Sequence, residues 1–146
     1  MRYPVALDRS KVGTYPAATN AGGGYVWDAV LEHRVWCHPE RGAPDEVDGS
    51  DYFYAFETYE EAEAFFQANT GTEEPLALIL QREYIAEPEP ERYVHVREER
   101  ITEWSVEHLS RPQRDATTIA EFFAPDAPVD RLDILRGRSP RKNRDA

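Results

Sequence analysis

The chain has 146 residues, 40% of them hydrophobic and 31% charged, with a formal net charge of −11. This length suits one domain, able to bury about two-thirds of its unfolded surface without a metal or a disulfide. A single cysteine, Cys37, excludes an intrachain disulfide, and no apolar stretch approaches the roughly 20 residues of a membrane span.

Charge is uneven along the chain. Residues 136–146 carry Arg136, Arg138, Arg141, Lys142 and Arg144 against Asp145, a net of +4, so the rest of the chain holds −15 of the formal −11. An acidic body repels phosphate backbones, so any nucleic-acid contact would fall to this tail alone. The tail itself reads as a basic, disordered C-terminus. No apolar signal segment follows Met1-Arg-Tyr-Pro4, and the expected setting is cytoplasmic, without a membrane.

Met1 to Gly24 contains Pro4, Pro16 and Gly22-Gly23-Gly24 with little periodicity, so it is expected to be loop with at most one short edge strand. From Tyr25 to His38 the odd positions Tyr25, Trp27, Ala29, Leu31, His33, Val35 and Cys37 are apolar apart from His33, which predicts a strand, broken near Ala29. Val26, Ala29, Val30 and His33 also fit helical spacing, so a helix over 26–31 remains an alternative. Pro39 to Ser50 is a polar loop. In Asp51-Tyr-Phe-Tyr-Ala-Phe56, residues Tyr52, Tyr54 and Phe56 alternate with Phe53 and Ala55, a strand with both faces covered and expected to be internal.

Thr58 and Glu61 form a capping box that opens a helix carrying Ala62, Phe65 and Phe66 on one stripe, stopped at Asn69-Thr-Gly71. Leu76-Ala-Leu-Ile-Leu80 is a continuous apolar run, expected to be the central strand. Glu87-Pro-Glu-Pro-Glu91 reads as an acidic proline turn that cannot continue a ladder. Tyr93 to Val96 and Ile101 to Val106 predict two more strands around the charged Arg97-Glu-Glu-Arg100. A second capping box, Thr118-Ile-Ala-Glu121, opens a short helix, and Arg131 to Leu135 is a last short element. The sum is one α+β domain over residues 1–135, with a mostly antiparallel twisted sheet of about five or six strands and two or three short helices.

Chemistry is sparser. In a strand His33 and Cys37 face one way and His38 the other, so the three do not converge on zinc, and no metal site is expected. Cys37, beside Val35, reads as a small buried hydrophobe. Gly22-Gly23-Gly24 would let backbone amides approach a phosphate, but without the Gly-x-x-x-x-Gly-Lys or Gly-x-Gly-x-x-Gly spacing a plain connection is the simpler reading. Glu98 and Glu99 read as a solvated turn. Glu103 lies inside a strand, on the face opposite Trp104 and Val106, where it could point into a cleft.

A strand with a histidine, an aromatic strand running into a helix, an apolar strand and a late strand with one glutamate, over residues 25–106, resemble the element order of small ADP-ribosyltransferase domains. The resemblance implies an NAD-binding cleft with Glu103 as the catalytic acid that orients the ribose, and with His33 or His38 and Tyr52 or Tyr54 binding the dinucleotide. Wider stretches, Arg34-Val-Trp-Cys-His-Pro-Glu-Arg-Gly42, Glu74-Pro-Leu-Ala-Leu-Ile-Leu-Gln-Arg-Glu-Tyr84 and Glu99-Arg-Ile-Thr-Glu-Trp104, resemble a family of small uncharacterised bacterial proteins commonly labelled GCN5-like acetyltransferases. That label implies acetyl-CoA, although the Arg/Gln-x-x-Gly-x-Gly/Ala pyrophosphate turn does not occur in this chain. Three expectations therefore stand: a group-transfer protein using NAD on a small-molecule or protein substrate, a non-enzymatic binding or accessory module, and an acetyl-CoA-dependent acetyltransferase.

Overall fold

The structure, a computed structural model, describes residues 3–140. Its strands are β1 (Asn20–Ala21), β2 (Ala29–Cys37), β3 (Tyr52–Phe56), β4 (Leu76–Gln81), β5 (Tyr84–Glu89), β6 (Arg92–Val96) and β7 (Arg100–Ser105), and its α-helices are α1 (Tyr59–Ala68), α2 (Thr118–Phe123) and α3 (Arg131–Leu135). The main sheet has the order β1-β7-β4-β2-β3, antiparallel except where β1 runs parallel to β7, and β5 pairs with β6 as a separate two-stranded ribbon. This is an α+β fold. The apolar run 76–80 is central, as its sequence predicts, because Ala77, Leu78 and Ile79 are buried on both sides of the sheet.

Register decides which side chains meet. The β2–β4 ladder pairs Ala29 with Leu80 and Val30 with Ile79, then shifts so that Glu32 opposes Leu78 and His33 opposes Ala77. A bulge at Leu31 has inserted one residue. Its consequence is a change of phase. Leu31 and Ala29 pack with Leu78, Leu80, Ile101 and Tyr15 on one face, whereas Val30 packs with Ala77, Ile79, Trp104 and Leu109 on the other. The odd-numbered stripe from Tyr25 to Cys37 is therefore not one face, and the strand begins only at Ala29; no helix forms over 26–31.

Three other elements differ from the sequence reading. The aromatic strand β3 is an edge strand, not an internal one. Both its faces are apolar because Tyr54 and Phe56 stack on Phe65 of α1 at 5.1 and 5.4 Å while Phe53 packs on Trp36 at 5.1 Å, so covered faces did not require two neighbouring strands. Strand β5 lies where no strand was expected and runs through Pro88. The ribbon tolerates this because the ladder is irregular between Ala86 and Glu89 and each strand has a free edge. Finally, Thr118 is helical, not a cap; Asp115 Oδ1 accepts the Thr117 and Thr118 N–H groups at 2.8 and 3.0 Å and so satisfies the helix start. The first capping box forms as read, with Thr58 Oγ1 accepting the Glu61 N–H at 3.2 Å.

A second small core joins Val26, Ile85, Ile119, Phe122 and Leu135, tying α2 and α3 to the β5–β6 ribbon. Past α3, Arg138 and Ser139 donate their N–H groups to Asp133 O, and Gly137 lies so close to Ser110 that a Cβ would fall 2.5 Å from its carbonyl oxygen. The start of the basic segment is thus fixed to the domain, and the remainder of the expected tail, 141–146, lies outside the described residues.

Candidate functional site

The residues that the transferase resemblance puts together are split by the sheet. Register places Glu32, Leu78 and Glu103 in one row across three strands, and His33, Ala77 and Trp104 in the next, so the rows face opposite sides. Phe56 opposes His33, Tyr54 opposes Val35 and Tyr52 opposes Cys37, which puts both tyrosines on the His33 side. One cleft holding His33, Tyr52, Tyr54 and Glu103 is not assembled.

Each of these groups has its own engagement. His33 is fully buried, and its Nε2 lies 2.9 Å from Pro4 O. A carbonyl only accepts, so Nε2 carries the proton; Nδ1 has no partner, and burial holds the imidazole below its usual pKa and neutral. His38 Nδ1 is 2.9 Å from Asp51 Oδ1. Its Nε2 is 3.0 Å from Glu73 Oε1, but the angle is too poor for a hydrogen bond. The Tyr52 and Tyr54 hydroxyls donate to Pro44 O and Glu46 Oε1 at 2.7 and 2.6 Å, bracing the loop 39–50. Loss of solvent and the Glu46 carboxylate push the Tyr52 phenol up to about 12. Cys37 is buried and its thiol is pushed up by that burial, the setting of an inert cysteine.

Glu103 belongs to a buried ion cluster. Arg34, with no exposed side-chain surface, donates to Glu32 Oε2 at 2.6 Å, Glu103 Oε2 at 3.1 Å and Pro16 O at 2.7 Å, and its guanidinium lies 4.1 Å from the centre of the Phe53 ring. Trp36 Nε1 donates to the same Glu103 oxygen at 2.8 Å, and Glu32 Oε1 accepts the Gly13 N–H at 2.8 Å. The bulge at Leu31 is what turns Glu32, Arg34 and Trp36 onto the Glu103 face. The cluster pins the N-terminal segment to the sheet, and its polar groups are occupied by one another.

The open chemistry lies at the other edge of β7. Because β1 is only two residues long, β7 is uncovered beyond Glu103, and a cavity of about 670 Å³ opens there between Gly22–Gly24, Tyr84–Glu87 of β5, the 3-10 turn Val106–Ser110 and Arg136. Glycine is required at the turn. Gly22, Gly23 and Gly24 have φ of 51°, 81° and 83°, and a Cβ on Gly24 would fall 2.4 Å from Gln81 Nε2 and 2.9 Å from Arg100 Nη2. Buried Gln81 donates to Gly23 O and Val26 O while accepting from Arg100 Nε at 2.7 Å, and Arg100 Nη2 reaches Gly22 O at 3.3 Å. Tyr25 follows at φ 66°, with Val26 N–H bonded back to Gly24 O, a γ-turn that a tyrosine adopts only under constraint. The glycine run is a clamped turn, not a plain connection. Among the described residues no backbone carbonyl or side chain accepts the Gly23 or Gly24 N–H.

The walls are rich in donors. Arg111 is half-buried, 5.2 Å from the Trp104 ring and 5.8 Å from the Tyr25 ring, and forms no ion pair with a carboxylate among the described residues. Burial first, then Arg136 and Arg138, lower its affinity for its own proton. Burial likewise lowers the pKa of His108, whose ring meets Trp104 edge-on. Trp104 lines the cavity at 1% exposure, and its Nε1–H has no acceptor. The one acid held within the cavity by its own bonds is Glu87, whose carboxylate accepts the Tyr25 hydroxyl at 2.7 Å and the Glu91 N–H at 2.9 Å and is thereby kept well ionised. A smaller cavity of about 350 Å³ between α2 and α3 is lined mainly by apolar groups, and its Arg131 already donates to Phe122 O.

Of the residues that line this cavity, the sequence singles out Glu103 and the glycine run. Arg100, Arg111, His108 and Arg136 are scattered between positions 100 and 136 and carry no spacing. Neither a family model, nor a curated protein, nor a solved structure matches this chain.

Proposed function

We propose that this chain is a binding module for an anionic small molecule, taken up in the cavity between the β7 edge and the β5–β6 ribbon. The observation that carries the reading is Arg111: a half-buried guanidinium without a carboxylate partner among the described residues, in a chain of net charge −11. Partial burial strips such a cation of some of its water, and the Trp104 and Tyr25 rings offset that loss only in part, so a site that keeps it without a carboxylate suits a counter-charge that arrives from outside. Arg100 and Arg136 add to the same field, and Trp104 Nε1–H and His108 add hydrogen-bonding capacity. The cavity falls within the 300–1,000 Å³ range usual for small-molecule sites.

Titration calorimetry with sulfate, NAD and acetyl-CoA tests it, NAD and acetyl-CoA being pyrophosphate-bearing ligands. Binding of at least one of them, lost in Arg111→Gln while the melting temperature is kept, is the expected result. Absence of any heat from every anion would overturn it.

A further inference from the structure

The cavity's charge and shape narrow the ligand further. We propose that the group bound beside Arg111 is a phosphate monoester in its dianionic form, carried on a small organic body; this rests on the anion-binding reading above. Three guanidiniums, Arg100, Arg111 and Arg136, face the cavity against the Glu87 carboxylate, an excess of two positive charges. Glu103, the other acid at the wall, directs its carboxylate to Arg34 and Trp36. A carboxylate or a phosphodiester brings one negative charge and leaves half of this excess unmatched. A phosphate monoester brings about −1.5 to −2 at neutral pH.

Shape agrees with charge. The cations reach the cavity from three elements, β7, the turn after the 3-10 segment and the end of α3, so separate guanidiniums are available to the several oxygens of a tetrahedral group, where a carboxylate offers only two. Backbone donors lie on the same rim. Glu103 O accepts the Gly22 N–H on the β1 side of β7, and strand alternation turns the Ser105 N–H to that side as well, past the end of β1. Together with the Gly23 and Gly24 amides this supplies uncharged donors for a third oxygen, in the manner of backbone cradles for phosphate. The remaining volume and the Tyr25, Tyr84 and Ile85 walls suit an organic body.

The test compares methyl phosphate, dimethyl phosphate, acetate and sulfate by ¹⁵N NMR titration of the full chain, following the Trp104 indole N–H resonance assigned with Trp104→Phe. Methyl phosphate at pH 8 is expected to bind at least about tenfold more tightly than dimethyl phosphate and acetate, and Arg111→Gln to lose at least about tenfold of that affinity. Between pH 5.5 and 8 His108 is the imidazole of the cavity wall, while Glu87 is held ionised and Tyr25 is held protonated. Sulfate, a dianion throughout, reports His108 alone. Methyl phosphate divided by sulfate must therefore rise with pH through about 6 as the ester loses its second proton. Acetate or dimethyl phosphate binding as well as methyl phosphate, or a flat ratio, overturns the inference and leaves the anion-binding reading standing. No binding of any of the four, sulfate included, overturns both.

Discussion

Replacing Arg34 by methionine removes the one cation of the Glu32–Arg34–Glu103 cluster while keeping an unbranched side chain of similar length. Glu32, whose carboxylate has no exposed surface, is left with the Gly13 N–H alone. Glu103, 19% exposed in its side chain, keeps the Trp36 indole and some water. Breaking a buried pair and leaving one charge uncompensated costs about 3–5 kcal/mol, a large share of the 5–15 kcal/mol that holds a domain together. For a domain of this size that is on the order of 10–15 °C in Tm. The double variant Glu32→Gln/Arg34→Met takes away the stranded charge and is expected to recover most of the loss, because a neutral amide in that place costs only about 1–2 kcal/mol. Urea denaturation of the wild type, both single variants and the double variant measures the coupling. The reasoning fails if Arg34→Met costs less than about 1 kcal/mol, or if the double variant loses the sum of its two singles.

Gly24→Ala forces an L side chain to φ 83° and into Gln81 and Arg100, and is expected to cost about 2–4 kcal/mol through left-handed strain and one or two lost hydrogen bonds. Chemical denaturation checks it, and a change below about 1 kcal/mol would mean that the turn is not clamped. Because burial lowers the His33 pKa in the folded chain, the unfolded chain takes up the extra proton first; stability is complete above about pH 6.5 and declines as pH falls, by at most about 1.4 kcal/mol per unit. His108 adds in the same direction, so the slope should shrink in His33→Gln and shrink further in the double variant with His108→Gln. Cys37, buried and with its thiol pKa raised, should alkylate with iodoacetamide only at the rate of global unfolding, read by intact-mass spectrometry; rapid labelling of the native chain at neutral pH would contradict its packing.

Sequence alone determined what local chemistry controls. Thr58 and Glu61 cap α1 from within their own turn, Leu76 to Leu80 offer apolar side chains to both faces and so lie mid-sheet, and alternation at Tyr52 to Phe56 fixes a strand whatever its neighbours. Tertiary structure decided the rest. A bulge at Leu31 is invisible in the sequence because Ala29, Val30 and Leu31 are all apolar and suit either face, yet it reverses the facing of every residue after it and so parts His33 from Glu103. An edge strand and an internal strand share one alternation when a helix covers the exposed face, as α1 does on β3. The cationic cavity depends on β1 being too short to cover β7, and on residues from distant parts of the chain converging through long-range pairing; convergence of that kind leaves no periodicity, because it is set by how the two cores are joined and not by neighbours in sequence.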